Sequence, residues 1–292
     1  MQLLLNQCSK GKFVCVGLDS KLTNIPKAVQ VLDPDNKNAF MGLAVEATLL
    51  KFNQRIIDAT CDIVCAYKPN SAFYEEWGPE GMSALKKTVD YIHEVAPDVI
   101  VIYDCKRGDI DSTNLGYVGG AFQYLGADAI TIHPYLGREA CQVFLDQRDK
   151  GIFVLCRTSN SGAEEFQDLH VITDHTKDVR VPLYNYVARR VNDTWNRNGN
   201  CGLVVGATYP RELREVREIV GKDIPILIPG IGAQGGDLQA TIENAGRQFI
   251  INSSRGIIFA SKNKDFAEAA RRETEKLHKL ITIYRGKDLN HG

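Results

Sequence analysis

Short runs of apolar, mostly β-branched residues recur along the chain, and each is followed by a longer stretch that can be helical. The runs fall at 13–18 (FVCVGL), 63–67 (IVCAY), 98–103 (DVIVIY), 128–132 (DAITI), 151–155 (GIFVL), 202–206 (GLVVG), 225–228 (PILI) and 248–252 (QFIIN). Helices are expected at 40–59, 80–95, 112–125, 137–148, 182–197, 209–220, 236–245 and 264–284. Strands that are apolar throughout, rather than alternating, predict a parallel sheet covered by helices. Eight β/α units in 292 residues predict one α/β domain over 1–292, a (β/α)8 TIM barrel with its site at the C-terminal strand ends. An open doubly wound sheet is the alternative. Two polar segments interrupt the alternation, at 23–39 and 157–181. Loops of that length are functional lids or disordered.

Composition narrows the classes. Hydrophobic residues make up 44% and charged residues 24%, which suits a globular chain with a substantial core. The formal net charge is −1, so nothing draws the chain to nucleic acid or to an anionic membrane surface. No apolar run approaches the roughly 20 residues that span a bilayer. The N-terminus lacks a basic segment followed by a long apolar one, so a cytoplasmic protein without a signal peptide is expected. The eight cysteines lie mostly inside apolar runs and read as buried free thiols in a reducing compartment. Cys61 and Cys65 have no neighbouring cluster of ligands, so no zinc site is expected. The mixed charges of 209–220 and 271–279 read as solvated helix faces.

The stretch VIVIYDCKRGDIDST, 99–113, sets a burst of charge at the end of an apolar strand. In a parallel barrel that end faces the active site. The other predicted strand ends carry Asp19, Lys68, His133, Arg157 with Ser159, and Thr208. Asp104 and Lys106 are two apart, so regular strand geometry aims both side chains one way and Cys105 the other. Asp109 lies beyond the strand. The following DIDSTNLG reads as a helix start, with Ser112 or Thr113 as its cap. A lone buried Asp–Lys pair can be a structural salt bridge, because burying charge is costly unless it is paired. Four or more charges converging on one mouth favour chemistry instead. Alternating Asp and Lys keep the lysines protonated and the carboxylates ionised. Such an array suits a reaction that needs both a carboxylate and a proton donor beside the substrate.

A second feature points to an anion. IPGIGAQGGD, 228–237, carries four glycines that let backbone N–H groups approach an anion. It leads into a predicted helix, whose N-terminus also favours negative charge. INSSRGIIF, 251–259, places Arg255 at the start of another short helix. Loops after strands 7 and 8 of such barrels frequently bind phosphate. Gln234 can donate through its amide, and Arg255 can bind two oxygens at once.

The pattern D-x-K-x-x-D-I at 104–110 joins GLD at 17–19, YKPN at 67–70, VGAT at 205–208, PGIGAQGGD at 229–237 and the pair Ser254–Arg255. With these motifs in this order, the chain resembles the orotidine 5′-phosphate decarboxylase family from Asp19 to Arg255. D-x-K-x-x-D alone is shared with related barrel decarboxylases, while Lys68 and the GAQGGD loop make the likeness specific. The resemblance implies cofactor-free and metal-free decarboxylation of orotidine 5′-monophosphate to uridine 5′-monophosphate in pyrimidine biosynthesis. It implies that Asp104 stands near the substrate carboxylate and that Lys106 protonates C6. Lys68 completes the charge array and binds the ribose region, and Asp19 binds ribose hydroxyls. Ser159 hydrogen-bonds the pyrimidine ring. Gln234 and Arg255, beside Ser254, hold the phosphate. Asp109, with Ile110 and Thr113, enters the neighbouring site of a homodimer. The segments 23–39 and 160–181 resemble those of the longer subclass of the family.

Three other readings of the residues compete. A Mg²⁺-dependent sugar-phosphate decarboxylase of the same barrel group would use Asp104 and Lys106 around a metal. A Schiff-base aldolase would use a neutral Lys106 or Lys68, which ion pairing disfavours. A non-catalytic nucleotide-binding protein would keep Gln234 and Arg255 without needing Asp104 and Lys106. His133 reads equally as a packed residue or a participant.

Overall fold

In the computed structural model, which describes residues 1–31, 41–174, 176–231 and 236–288, the eight expected strands close into one parallel barrel. A short helix, α1 (Gln2–Ser9), precedes them. Then come β1 (Val14–Leu18), α2 (Met41–Thr60), β2 (Ala66–Pro69), α3 (Ala72–Glu75), α4 (Gly78–Val95) and β3 (Ile100–Arg107). The chain continues through α5 (Asp111–Val118), β4 (Ala129–Ile132), α6 (Gly137–Leu145), β5 (Gly151–Arg157), α7 (Glu164–Gln167), β6 (His170–Asp174) and β7 (Val179–Pro182). It ends with α8 (Leu183–Arg190), β8 (Cys201–Val205), α9 (Pro210–Val220), β9 (Ile226–Pro229), α10 (Leu238–Ala245), β10 (Phe249–Ser253), α11 (Arg255–Ile258) and α12 (Phe266–Asp288). Around the barrel the order is β1-β2-β3-β4-β5-β8-β9-β10, and β10 pairs back onto β1 with Val14 opposite Ile251.

The closed topology explains the apolar runs. One face of each strand fills the barrel interior and the other meets the helices, so all of β1, β8 and β10 is buried. Burial also accounts for the thiols. Seven of the eight cysteines are buried, and burial pushes the Cys15, Cys105 and Cys156 thiols up to about 12. Among the described residues no helix is long and apolar enough to cross a membrane.

Several expectations need correction. The N-terminal helix α1 was not expected. It caps the N-terminal end of the barrel, where Leu4 is fully buried, Gln7 donates to the Asp98 carbonyl and Cys8 to that of Phe249. The polar segment 157–181 is not loop throughout, because β6 and β7 form an antiparallel hairpin outside the barrel. Helices α5 and α8 are each shorter than expected and run on as a wider π turn, over 119–124 and 191–195. Of 23–39, residues 23–31 are described, and their start completes a 3₁₀ turn, Leu22–Asn24.

Two strands depart from regular pairing, both at the C-terminal rim. On β3, Tyr103 pairs with Ile130 and Arg107 with Ile132, so three residues stand opposite Thr131 alone. On β5, Leu155 pairs with Val204 and Arg157 with Val205, leaving Cys156 extra. Bulges of this kind re-aim side chains next to active sites.

At the opposite end the barrel is tied by one side chain. Arg217 on α9 donates to the carbonyls of Gly221, Ile224, Ala245 and Gln248 at 2.7–2.9 Å. It thereby joins the turns that lead into β9 and β10. Burial draws its guanidinium down to about 10. Replacing it by an apolar side chain of similar length leaves those carbonyls without their charged donor. Arg217→Met is expected to lower unfolding free energy by about 3 kcal/mol in a denaturant titration. The folded fraction should keep its activity, since Arg217 lies away from the C-terminal rim.

Candidate active site

The site is built around a carboxylate that the barrel buries. Asp104, on the bulged end of β3, is only 8% exposed. Lys68 at the end of β2 is 5% exposed and donates from Nζ to Asp104 Oδ2 at 2.6 Å. Lys106 donates from Nζ to Asp104 Oδ1 at 2.7 Å, while nearly half of its side chain stays exposed. Burial alone would raise the Asp104 carboxyl, but the two ammoniums outweigh it and hold Asp104 well below the usual carboxylate range. Burial likewise works to lower Lys68, but Asp104 and Asp19 overcome it and raise the ammonium above its ordinary value. Asp104 and Lys68 are therefore both charged at neutral pH.

Asp104 and Lys106 meet as expected, but not by regular alternation. Lys106 has φ +48°, a left-handed backbone that a non-glycine residue adopts at a cost. Thr131 on β4 fills the bulge. Its Oγ1 accepts from the N–H groups of Cys105 and Lys106 at 3.1 and 3.0 Å and donates to Asp104 Oδ1 at 2.9 Å. Asn70 bridges to Asp104 through the main chain, which carries the β2–β3 pairing to the rim.

These groups form the floor of a cavity of about 470 Å³ at the C-terminal face. The floor has two halves. Asp19, Lys68, Asp104, Lys106 and Thr131 make the charged half, on the strands β1 to β4. Leu155, Val204, Leu227 and Ile231 make the apolar half. Ser159, Ser254 and Arg255 stand in the wall. Asp19 is held by a buried network behind it. Ser20 donates to Asn53 Oδ1, the Asn53 amide donates to Tyr74 and Thr88, and Tyr74 donates to the Leu18 carbonyl. Asp19 Oδ1 and Asn252 Oδ1 are buried at the edge of the cavity with no hydrogen-bond partner among the described residues.

Two glycines are required by close approach. A Cβ on Gly17 would lie 2.7 Å from Ser254 Cβ, where the Ser254 hydroxyl donates to the Gly17 carbonyl. A Cβ on Gly206 would lie 2.9 Å from the Ser159 backbone. The glycines of GLD and VGAT thus let the rim fold over the site.

Other expected residues fall elsewhere. Gln234 lies outside the described residues. Asp109, Ile110 and Thr113 do not line the cavity of their own chain. Ile110 and Thr113 are exposed, as is Leu115, while Asn114 beneath them is buried and pins the Asp109 backbone. The expected cap by Ser112 or Thr113 is absent. Helix α5 starts after Ile110, which makes no side-chain cap. Arg157 is not a mouth residue either. It is fully buried, paired with Asp168 at 3.1 Å and stacked 3.9 Å over Tyr209. His133 lines a neighbouring cavity with Tyr135 and Trp195. Thr131, Asn70 and Asn252 are the site residues that the sequence reading missed. Thr131 and Asn252 are embedded in strand runs where nothing marks them, whereas Asn70 closes the YKPN motif.

Comparison with known proteins settles the lineage. Residues 12–272 match the Orotidine 5'-phosphate decarboxylase / HUMPS family. The chain belongs to that family. An orotidine 5′-phosphate decarboxylase from Herpetosiphon aurantiacus is 45% identical over 259 residues, 89% of this chain and 88% of the relative. The OMP decarboxylase of Leishmania donovani superimposes with a TM-score of 0.74 at 36% identity, covering 96% of this chain and 97% of that one. The UMP synthase of the same organism matches with a TM-score of 0.76 at 37% identity. There the likeness covers 95% of this chain but 56% of the synthase. The decarboxylase family resemblance read from D-x-K-x-x-D, Lys68 and the glycine loop is thus borne out.

The ion triad has a pH signature. The lowered Asp104 carboxyl contributes stability that is present above the ordinary 3.8 and lost as pH falls toward its depressed value. The raised Lys68 ammonium contributes stability that is full below the ordinary 10.5 and lost as pH climbs through its raised value. The stability difference between the protein and a Lys68→Met/Asp104→Asn variant should be flat from about pH 4 to about pH 10. It should shrink beyond both ends when unfolding is followed by denaturant titration.

Proposed function

We propose that the protein is a carboxy-lyase that converts orotidine 5′-monophosphate to uridine 5′-monophosphate and carbon dioxide without a metal or organic cofactor. One observation carries the reading: Asp104 is held ionised between two ammoniums on the floor of a cavity whose other half is apolar. An apolar wall suits the face of a pyrimidine ring. The charged half then receives the carboxylate at C6.

The reaction breaks the C6–carboxylate bond, and the electron pair stays on C6 in the ring plane, where no adjacent π system absorbs it. Lys106 stabilises that charge and then transfers a proton from Nζ to C6. Its half-exposed side chain recovers a proton from solvent. Preorganised charge in a closed site is the main source of rate, because the ammonium is in place before the charge develops. Lys68 keeps Asp104 ionised on its other side and reaches toward the ribose. Asp19, whose Oδ1 is buried and unpartnered among the described residues, accepts from ribose hydroxyls. Ser159 meets the pyrimidine, and Arg255, with Ser254 and Gln234, meets the phosphate. Phosphate contacts far from C6 supply binding energy that can drive closure over the ring.

The working unit in this reading is a homodimer with shared sites. Asp109, Ile110 and Thr113 stand outside their own cavity, and Ile110 with nearby Leu115 exposes apolar surface beside Asp109. That placement suits insertion of Asp109 into a second copy.

The test is the loss of orotidylate absorbance on adding purified protein with excess EDTA. Turnover in EDTA supports the reading, and turnover only with added Mg²⁺ would return the site to a sugar-phosphate reaction. Lys106→Ala is expected to lower kcat by about 10³-fold or more while uridine 5′-monophosphate still binds. Inactive Lys106→Ala and Asp109→Ala proteins, once mixed and exchanged, should regain part of the activity through hybrid dimers. No regain despite proven exchange would rule out the shared site.

A further inference from the structure

We propose that Thr131 is a positioning residue that fixes where the Lys106 ammonium stands; the proposal rests on the decarboxylase reading above. A threonine hydroxyl has one proton and two lone pairs. Both lone pairs of Thr131 are taken, by the N–H groups of Cys105 and Lys106. The proton therefore has one destination, Asp104 Oδ1 at 2.9 Å, which is the same oxygen that receives the Lys106 ammonium. One atom thus holds the Lys106 backbone and the acceptor of the Lys106 side chain at once.

The bulge needs such a fixture. Three residues of β3 face one residue of β4, so two N–H groups have no place in the regular ladder. Left unpaired in the interior, they would destabilise the bulge. Lys106 also holds a left-handed backbone, which persists only where its surroundings over-determine it. Thr131 is suited to impose it. It is 1% exposed, pairs with Phe153 in the β4–β5 ladder, and is β-branched, hence stiff at χ1. Without the hydroxyl, the Cys105 and Lys106 N–H groups lose their partner on β4, and the bulge is tied to that strand only through its flanks, Tyr103 opposite Ile130 and Arg107 opposite Ile132. A displacement of about 1 Å at a reacting group lowers rates by about 10²-fold.

Thr131→Val keeps shape and removes all three hydrogen bonds, whereas Thr131→Ser keeps the hydroxyl and removes a methyl. Wild-type turnover of orotidylate is measured first, and its absence would defeat the decarboxylase reading rather than this one. With wild-type activity established, Thr131→Val is expected to lose about 10²-fold in kcat. Its KM for orotidylate and its Kd for uridine 5′-monophosphate should stay within about 3-fold of wild type. Thr131→Ser should recover most of kcat. A purely structural role would lower the unfolding midpoint of Thr131→Val yet leave kcat per folded molecule unchanged, and that result overturns the proposal. So does a Thr131→Ser protein as slow as Thr131→Val. Should Thr131→Val fail to fold, Thr131→Cys, of similar size and a much weaker hydrogen-bonding group, carries the same comparison.

Discussion

The structure turns on one carboxylate that cannot be buried alone. Taking Asp104 out of water costs several kcal/mol, and a single ammonium rarely offsets that. Two do so here, one on each oxygen. The requirement propagates outward. Lys68 must come from the adjacent strand, Lys106 must bend back onto its own strand, and the strand must bulge to let it. The barrel supplies a rigid frame in which β2, β3 and β4 present these groups within hydrogen-bond distance of one another. Removing Lys68 or Asp104 leaves a buried charge short of its partner, so the array is both the chemistry and a constraint on the fold around it.

Much of this was legible in the sequence, for definite reasons. Continuous apolar runs such as VCVGL and ILIP mark strands buried on both faces, and their regular spacing leaves a closed parallel barrel as the economical arrangement. The charges at Lys68, Asp104 and Lys106 stood out because charge does not otherwise follow such runs. Thr131 did not stand out. In AITI it is an ordinary β-branched strand residue, and its importance comes from a register shift that no local pattern encodes. Arg157 misled in the opposite direction. It ends a strand as a mouth residue would, but the extra residue Cys156 turns it into the wall, where Asp168 and Tyr209 enclose it. The hairpin of β6 and β7 was hidden because half-exposed strands read as polar loop.

The two ends of the barrel are held by different means. At the N-terminal end, α1 and the Arg217 guanidinium satisfy carbonyls with donors that serve no ligand. At the C-terminal end the polar atoms are arranged toward a cavity, and two of them, on Asp19 and Asn252, remain without partners among the described residues. Among the described residues, unpartnered buried polar atoms occur at both ends, with Gln7 Oε1, Asn200 Oδ1 and Gln248 Oε1 at the N-terminal one, but only those of Asp19 and Asn252 line the cavity. At the C-terminal end the Asn53 network serves the frame instead. It lies behind Asp19 and ties the rim of β1 to α2, α3 and α4.

The bulge on β3 has an evolutionary corollary. Below it, Ile102 and Tyr103 keep ordinary register with Ala129 and Ile130. Two added residues are absorbed entirely at the rim. The chemical end of the strand can therefore gain or lose residues while the shear of the barrel stays as it was. A lineage built on this frame can revise its reactive groups by insertion and deletion, a mutational route that a strand in strict pairing would close.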